Sequence, residues 1–366
     1  MPIKTKKQNN LDYPLIIIVG LLLIFGLAML YSASTVISYR NFGNTSHYFF
    51  HQLYGAAIGI VGLIICLKIN YRYWLKLLPI LLVGSLIALC LVKVPGLGFS
   101  AGGATRWVHL GPLFFQPAEI AKLAIIIYTA SWLSKPKHEK GFFKEFFPAI
   151  IIIGLFSLLI LWQPDLGSVM AIAGTAFIML FVGGARLKYL GWSIVAGILF
   201  LLAAIKLEPY RLRRITTFLN PQVDPTGISY QINQALLAIG GGGLWGYGYG
   251  LSRQKYNYLP EAIGDSMFAV IAEELGFFRI LILLALFAAF TIRGIQISNR
   301  APDLFGRLLA IGLVTSIVLQ ALINIGAIIG LLPLTGITLP FFSYGSSSLI
   351  VTLVEVGILL NIARQS

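Results

Sequence analysis

PAIIIIGLFSLLILWQPDLGSVMAIAGTAFIMLFVGG, residues 148–184, contains one charged side chain, Asp165. A bilayer span takes about 20 apolar residues. The apolar runs on either side of Gln163-Pro164-Asp165 therefore read as two consecutive spans, 148–164 and 166–184, joined by a tight turn. The same texture extends in both directions. Spans are expected at 14–33, 52–69, 75–93 and 118–134 before this pair, and at 189–206, 266–292, 305–332 and 344–362 after it. Hydrophobic residues make up 58% of the 366 and charged residues 11%, with a mean hydropathy of +0.86. Soluble domains carry roughly 25% charged residues, so this chain lacks the material for an aqueous surface. The expected fold is an all-α integral membrane protein of about ten transmembrane helices, forming one polytopic domain over 1–366.

Loop charge orients the helices. Lys4, Lys6 and Lys7 precede the first span; Lys68, Arg72 and Lys76 follow the second; Lys135, Lys137, Lys140 and Lys144 follow the fourth. Arg186 and Lys188 follow the sixth, Arg293, Arg300 and Arg307 the eighth, and Arg364 the last. With an even number of spans these fall on one side, and the positive-inside bias makes that side cytoplasmic. Both termini are then cytoplasmic, with 1–13 as a short tail and the first span kept as an anchor. The net charge of +14 is mostly this bias. No nucleic-acid motif accompanies it, and no nucleic-acid partner is expected. Cys66 and Cys90 fall inside spans and read as packing residues, with no metal-binding spacing.

One loop breaks the charge pattern. Residues 207–265, between the seventh and eighth spans, form a long extracytoplasmic loop that with Lys206 carries Arg211, Arg213, Arg214, Arg253 and Lys255. Loops this long are largely exempt from the orientation rule, and so many cations suggest an anionic ligand. On the same side, 94–117 is too apolar for a solvated loop and too rich in glycine for a helix. Trp107, Phe114 and Phe115 would anchor it in the membrane interface.

Acidic residues on that side are few: Glu119, Asp165, Glu208, Asp224, Glu261, Asp265, Glu273 and Glu274. Asp165 and Asp265 each stand before an apolar helix, where aspartate is a favoured cap. By spacing alone, capping outweighs catalysis for Asp265. Glu273 and Glu274 lie about two turns into the eighth span, at a depth compatible with Lys122 in the fourth, so an ion pair between them is expected. Arg279 and Glu355 form a second expected pair deeper in the membrane.

Four motifs add to this reading: GGATRWVHLGPLFFQPAEIAKL (102–123), QPDLGS (163–168), YQINQALLAIGGGGLWGYGYGLSRQKYNYLPEAIGDSMFAVIAEELGF (230–277) and NIGAIIGLLPLTGITLPFFSYGSSSL (324–349). In order and topology they resemble the SEDS family, the FtsW/RodA/SpoVE group, over nearly the whole chain. SRQKYNYLPEA and Thr338 before Leu339-Pro340 are features of its cell-division branch, FtsW. The resemblance implies a peptidoglycan glycosyltransferase. It would use lipid II as donor and acceptor, invert the anomeric centre and release undecaprenyl pyrophosphate, working at the division septum with a class B penicillin-binding protein transpeptidase and other divisome proteins, among membrane lipids.

The family's essential aspartate falls on Asp265, which the resemblance therefore makes the catalytic base. Arg106, Lys122, Arg211, Arg213, Arg214, Arg253 and Lys255 are candidates to meet the pyrophosphate charge. Glu261, Glu273, Glu274, Asp165 and Ser343 are supporting acidic and polar positions. A divalent cation, Mg²⁺ or Mn²⁺, could share the pyrophosphate task, although the sequence shows no protein cage for one. Ile263, Gly264 and Ser266 stand where relatives often have His, Thr and Phe, and Ser346 stands for a second glycine in the Ser-Tyr-Gly motif. Two alternatives belong to other classes. A lipid II flippase would want a polar path through the midplane, and a non-catalytic divisome scaffold would not need Asp265.

Overall fold

A computed structural model of the chain describes residues 11–101, 104–110, 113–135, 147–206, 208–220 and 227–366. Residues 1–10 of the expected tail, Lys137, Lys140, Lys144 and Asp224 lie outside them. The ten expected spans are all helical: α1 (Tyr13–Phe42), α2 (His47–Lys68), α3 (Tyr73–Leu91), α4 (Pro117–Leu133), α5 (Phe147–Trp162), α6 (Leu166–Val182), α7 (Leu187–Lys206), α10 (Met267–Arg300), α11 (Leu304–Ile328) and α12 (Ser346–Gln365). Seven of these are long and apolar enough to cross a bilayer alone; α4, α5 and α6 are shorter, at 17, 16 and 17 residues. The protein is an integral membrane protein. α11 and α12 are buried over most of their length and form its centre, while α3 and α7 are mostly exposed apolar surface.

Two outer segments differ from expectation. The long loop contains two helices, α8 (Pro209–Leu219) and α9 (Ile228–Gly242). Proline in the first turn of α8 costs no hydrogen bond, because that N–H would be unpaired anyway. The described residues of 94–117 add strands to a fold that is otherwise helical. They hold an antiparallel sheet, β1 (Gly98–Ala101), β2 (Ala104–Leu110) and β3 (Leu113–Phe115), in the order β1-β2-β3. Alternation along β2 separates its two faces. Trp107 meets Phe114, which also meets Phe99 and His109, while Val108 is fully buried and Arg106 reaches the Pro164 carbonyl.

α10 is two pieces. Gly276 has φ 74° and ψ 176°, a conformation few residues other than glycine tolerate. Met267–Gly276 is buried throughout, but Phe277 and Phe278 beyond the kink are exposed. The stretch 243–248 lies against the kink. Phe277 N–H donates to the Gly243 carbonyl, and Tyr247 and Gly248 N–H donate to the Glu273 and Glu274 carbonyls. A side chain on Gly246 or Gly276 would collide with the opposing backbone.

The basic connections gather at one end of the bundle. Asp12, capping α1, pairs with Arg293 at 2.9 Å, and Arg72 pairs with Asp303, the cap of α11, at 2.8 Å. Asn361 near the end of α12 accepts from the Tyr71 N–H. The starts of α4, α6, α10 and α12 lie at the opposite end.

Candidate functional site

At that opposite end the turn 261–266 leads into α10. The expectation that Asp265 caps this helix fails, because Ser266 holds the cap position and Asp265 makes no side-chain bond to the helix. Its Oδ1 instead accepts from Gln231 Nε2 on α9 at 3.1 Å. The turn is stitched down from several sides. Asn324 of α11 donates to both the Asp265 and Ile337 carbonyls at 2.8 Å. Ser343 Oγ donates to the Gly264 carbonyl at 2.6 Å and accepts from Leu339 N–H, while Tyr344 N–H donates to the Ile263 carbonyl. Asp265 is half-buried, and the loss of hydration where protein packs around its carboxyl, with the nearby Glu261 carboxylate, pushes it up to about 6 against the opposing pull of Arg214 and Gln231.

Two arginines converge beside this turn. Arg106 comes from β2 and Arg214 from α8, where Arg214 Nη1 donates to the Leu334 carbonyl at 2.8 Å. The Cβ position of Gly336 is 3.8 Å from an Nη1 of each, so the two guanidinium groups flank one backbone site. Burial and the adjacent Arg106 lower the proton affinity of Arg214. Among the described residues neither has a carboxylate at ion-pair distance, and the Arg106 Nε is buried without a partner. Two guanidinium groups held this close favour an anion near them, and the Asp265 and Asp165 carboxylates act on Arg214 in that sense. Asp165 is nearby. It caps α6 as expected, accepting from Ser168 N–H at 3.0 Å and Oγ at 2.7 Å, and also accepts from Gln116.

The remaining candidates lie elsewhere. Lys122 does not meet Glu273 or Glu274. It pairs with Glu119, one turn earlier, at 2.7 Å and donates to Gln320. Its ammonium is thus consumed within the bundle. Arg211 caps helix ends, donating to Ala204 and Leu161 carbonyls. Arg213 is exposed, and Arg253, also exposed, lies over the Tyr247 ring at 4.7 Å. Lys255 is buried and pairs with Glu274 at 2.9 Å. Arg279 donates to the Trp245 carbonyl rather than to Glu355.

Glu273 and Glu274 anchor the loop. Glu274 accepts from Ser32 Oγ, Gly250 N–H, Ser252 N–H and Lys255 Nζ; Glu273 accepts from Ser252 Oγ and the N–H groups of Arg253 and Gln254. Gln231, Asn324 and Gln320 were not singled out from sequence. Amides carry no charge pattern, although all three fall in or beside the quoted motifs. Among the described residues no three His, Cys, Asp or Glu side chains cluster as a metal cage.

A helical membrane protein with a polar site at one end is what these features define. Residues 13–366 match the FtsW/RodA/SpoVE family, described as cell cycle proteins, and the chain belongs to that family. It is 42% identical over 363 residues to stage V sporulation protein E of Bacillus subtilis, covering 99% of both chains. It is 39% identical over 361 residues to the probable peptidoglycan glycosyltransferase FtsW of Geobacter metallireducens, covering 98% of this chain and 96% of that one. A chain from a peptidoglycan synthase complex, solved for its coordination of polymerization and crosslinking, superposes with a TM-score of 0.80 at 29% identity, covering 97% of this chain and 98% of that chain.

Proposed function

We propose that this protein is a peptidoglycan glycosyltransferase that polymerises lipid II at the extracytoplasmic face of the membrane. It would serve division, together with a class B penicillin-binding protein. Relatives bearing the glycosyltransferase name, over nearly their full length, support the activity. The observation that carries the mechanism is the placement of one carboxylate near two guanidinium groups that form no ion pair. The basic residues described at the far end of the bundle, Arg72 and Arg293 among them, support the sidedness.

In this reading Asp265 is the catalytic base. It takes the proton from the acceptor sugar hydroxyl as that oxygen attacks the donor anomeric carbon. The bond from this carbon to pyrophosphate breaks on the opposite face, inverting the centre. A carboxyl that titrates near 6 is ionised at neutral pH yet basic enough to accept a proton, which suits general-base work. Negative charge growing on the departing pyrophosphate would fall to Arg106 and Arg214, whose paired forks are already in place and need no reorganisation. Ser343, Asn324 and Gln231 would hold the aspartate in register.

The test is polymerisation of purified lipid II by the protein with its cognate transpeptidase. Asp265→Asn should lower the rate by about 10²- to 10⁴-fold, the usual contribution of a positioned base. Undiminished glycan synthesis by the folded variant would overturn the assignment. Lipid II movement across vesicles without glycan would instead favour the flippase reading.

A further inference from the structure

The loop that packs on the kink in α10 wears its apolar side chains on the outside. Trp245, Tyr249 and Leu251 are 68%, 53% and 62% exposed. Of the two cations in 244–258, Lys255 is buried against Glu274 and Arg253 lies over the Tyr247 ring. A loop in water would show the reverse pattern.

Two helices measure how high this loop stands. Tyr249 Oη donates to the Ala28 carbonyl of α1 at 2.7 Å. Ala28 is sixteen positions beyond Asp12, about 24 Å along a helix. Trp245 packs on Phe278 with ring centres 5.1 Å apart, and Phe277 N–H donates to the Gly243 carbonyl where the loop begins. Phe277 is sixteen positions before Arg293, again about 24 Å. Asp12 and Arg293 pair with each other, so both rulers start from one point. That pair marks the edge of the hydrocarbon at the basic end, because the apolar run of α1 begins directly after it and charge is costly any deeper. A hydrocarbon core is about 30 Å thick, and helix tilt shortens the climb further. The loop therefore stands within the leaflet at the Asp265 end, not above it.

Irregular backbone at that depth is tolerated only where the protein satisfies its polar groups. Here α10 does so. Tyr247 and Gly248 N–H donate to the Glu273 and Glu274 carbonyls, Gly250 and Ser252 N–H to the Glu274 carboxylate, and Arg253 and Gln254 N–H to the Glu273 carboxylate. The N–H groups of Leu251, Lys255 and Tyr256 find partners inside the loop, and that of Gly246 finds the Gly242 carbonyl. The two buried glutamates thus stand in for water.

We infer that 244–258 is a membrane-seated segment whose exposed aromatic face contacts phospholipid. Tryptophan and tyrosine suit the boundary between headgroups and acyl chains, and Arg253 is the cation available to lipid phosphate. Through Trp245 and Phe278 this face continues the apolar surface of α10 beyond the kink, so lipid that covers one covers the other.

The test uses the full-length protein in vesicles of phosphatidylcholine and phosphatidylglycerol, alone and with its transpeptidase. Trp245 emission is read as the difference between the parent and Trp245→Phe. Lipid brominated near the headgroup should remove most of that emission, and lipid brominated near the bilayer centre much less. In parallel, a polar maleimide present on both sides of the membrane should label Leu251→Cys slowly until the protein is denatured. Undiminished Trp245 emission in both brominated lipids, or labelling of Leu251→Cys at the rate of a free thiol, would put the loop in water and overturn the inference. Quenching that disappears when the transpeptidase binds would also overturn it, by giving the face to a protein instead of lipid.

Discussion

The two ends of the bundle handle charge in opposite ways. At the basic end each described acid has a cation: Asp12 has Arg293 and Asp303 has Arg72, in pairs that are partly open to solvent. At the other end, Asp265 and the arginines 106 and 214 sit near one another without forming an ion pair, and the pairs that do form, Lys122–Glu119 and Lys255–Glu274, are almost wholly buried. Exposed pairs add little and cost little. Buried or unneutralised charge is expensive, and a fold keeps it only where something else uses it. The contrast separates an end whose charges pair across helix ends from an end whose charges are buried or left without an ion pair.

The contrast can be broken most forcefully at Glu274. It accepts from a hydroxyl, two backbone N–H groups and an ammonium, and no neutral side chain can accept that many bonds. Glu274→Gln should destabilise the protein by about 3–5 kcal/mol, the cost of leaving a buried partner charge unpaired. Limited proteolysis should then cut within 249–258. A variant as stable as the parent, with its loop still protected, would show that this end is not held by charge.

A smaller effect is expected from Asp265→Asn on stability. The carboxyl is raised in the fold to about 6 from the ordinary carboxylate range. Its full contribution is present below that ordinary range and is lost as pH rises from there through about 6, where the native state must ionise a poorly hydrated group. Melting at pH 8 should therefore occur at higher temperature in Asp265→Asn than in the parent, and the difference should vanish by about pH 4. The opposite sign at pH 8 would mean that the arginines more than offset burial. Least affected should be Arg72→Met at the basic end, with a loss under about 1 kcal/mol. A larger loss there would erase the contrast.

The spans were legible because apolar length is a strong signal, and the place of Asp265 just ahead of α10 because the apolar run begins right after it. The pairing of charges was not. Depth counted along separate helices suggested Lys122 with Glu273 or Glu274, but rotation about each axis decides the partner. Lys122 found Glu119 on its own helix, and Glu274 found Lys255 in a loop whose path no periodicity reveals. Arg211 and Arg214 lie three residues apart on one face of a short helix, and both donate to carbonyls. Arg211 reaches Ala204 and Leu161, while Arg214 reaches Leu334 and lies by Gly336 with Arg106, a difference that charge alone did not reveal. The sheet in 98–115 was hidden by its glycines, which argued against a helix without arguing for strands.

The kink at Gly276 bears on how the chain enters the membrane as it is made. An insertion machinery that partitions segments by hydrophobicity penalises charged residues near a helix centre by about 2.5–3.5 kcal/mol each. The lipid-facing part of α10 begins at Phe277, so the segment that partitions is the lower one. Met267–Gly276, with both glutamates, is then delivered along with the preceding loop. Those residues are packed against the central helices and α1 as well as against the loop. The glutamate contacts therefore tie the loop, α1 and the buried half of α10 into one unit.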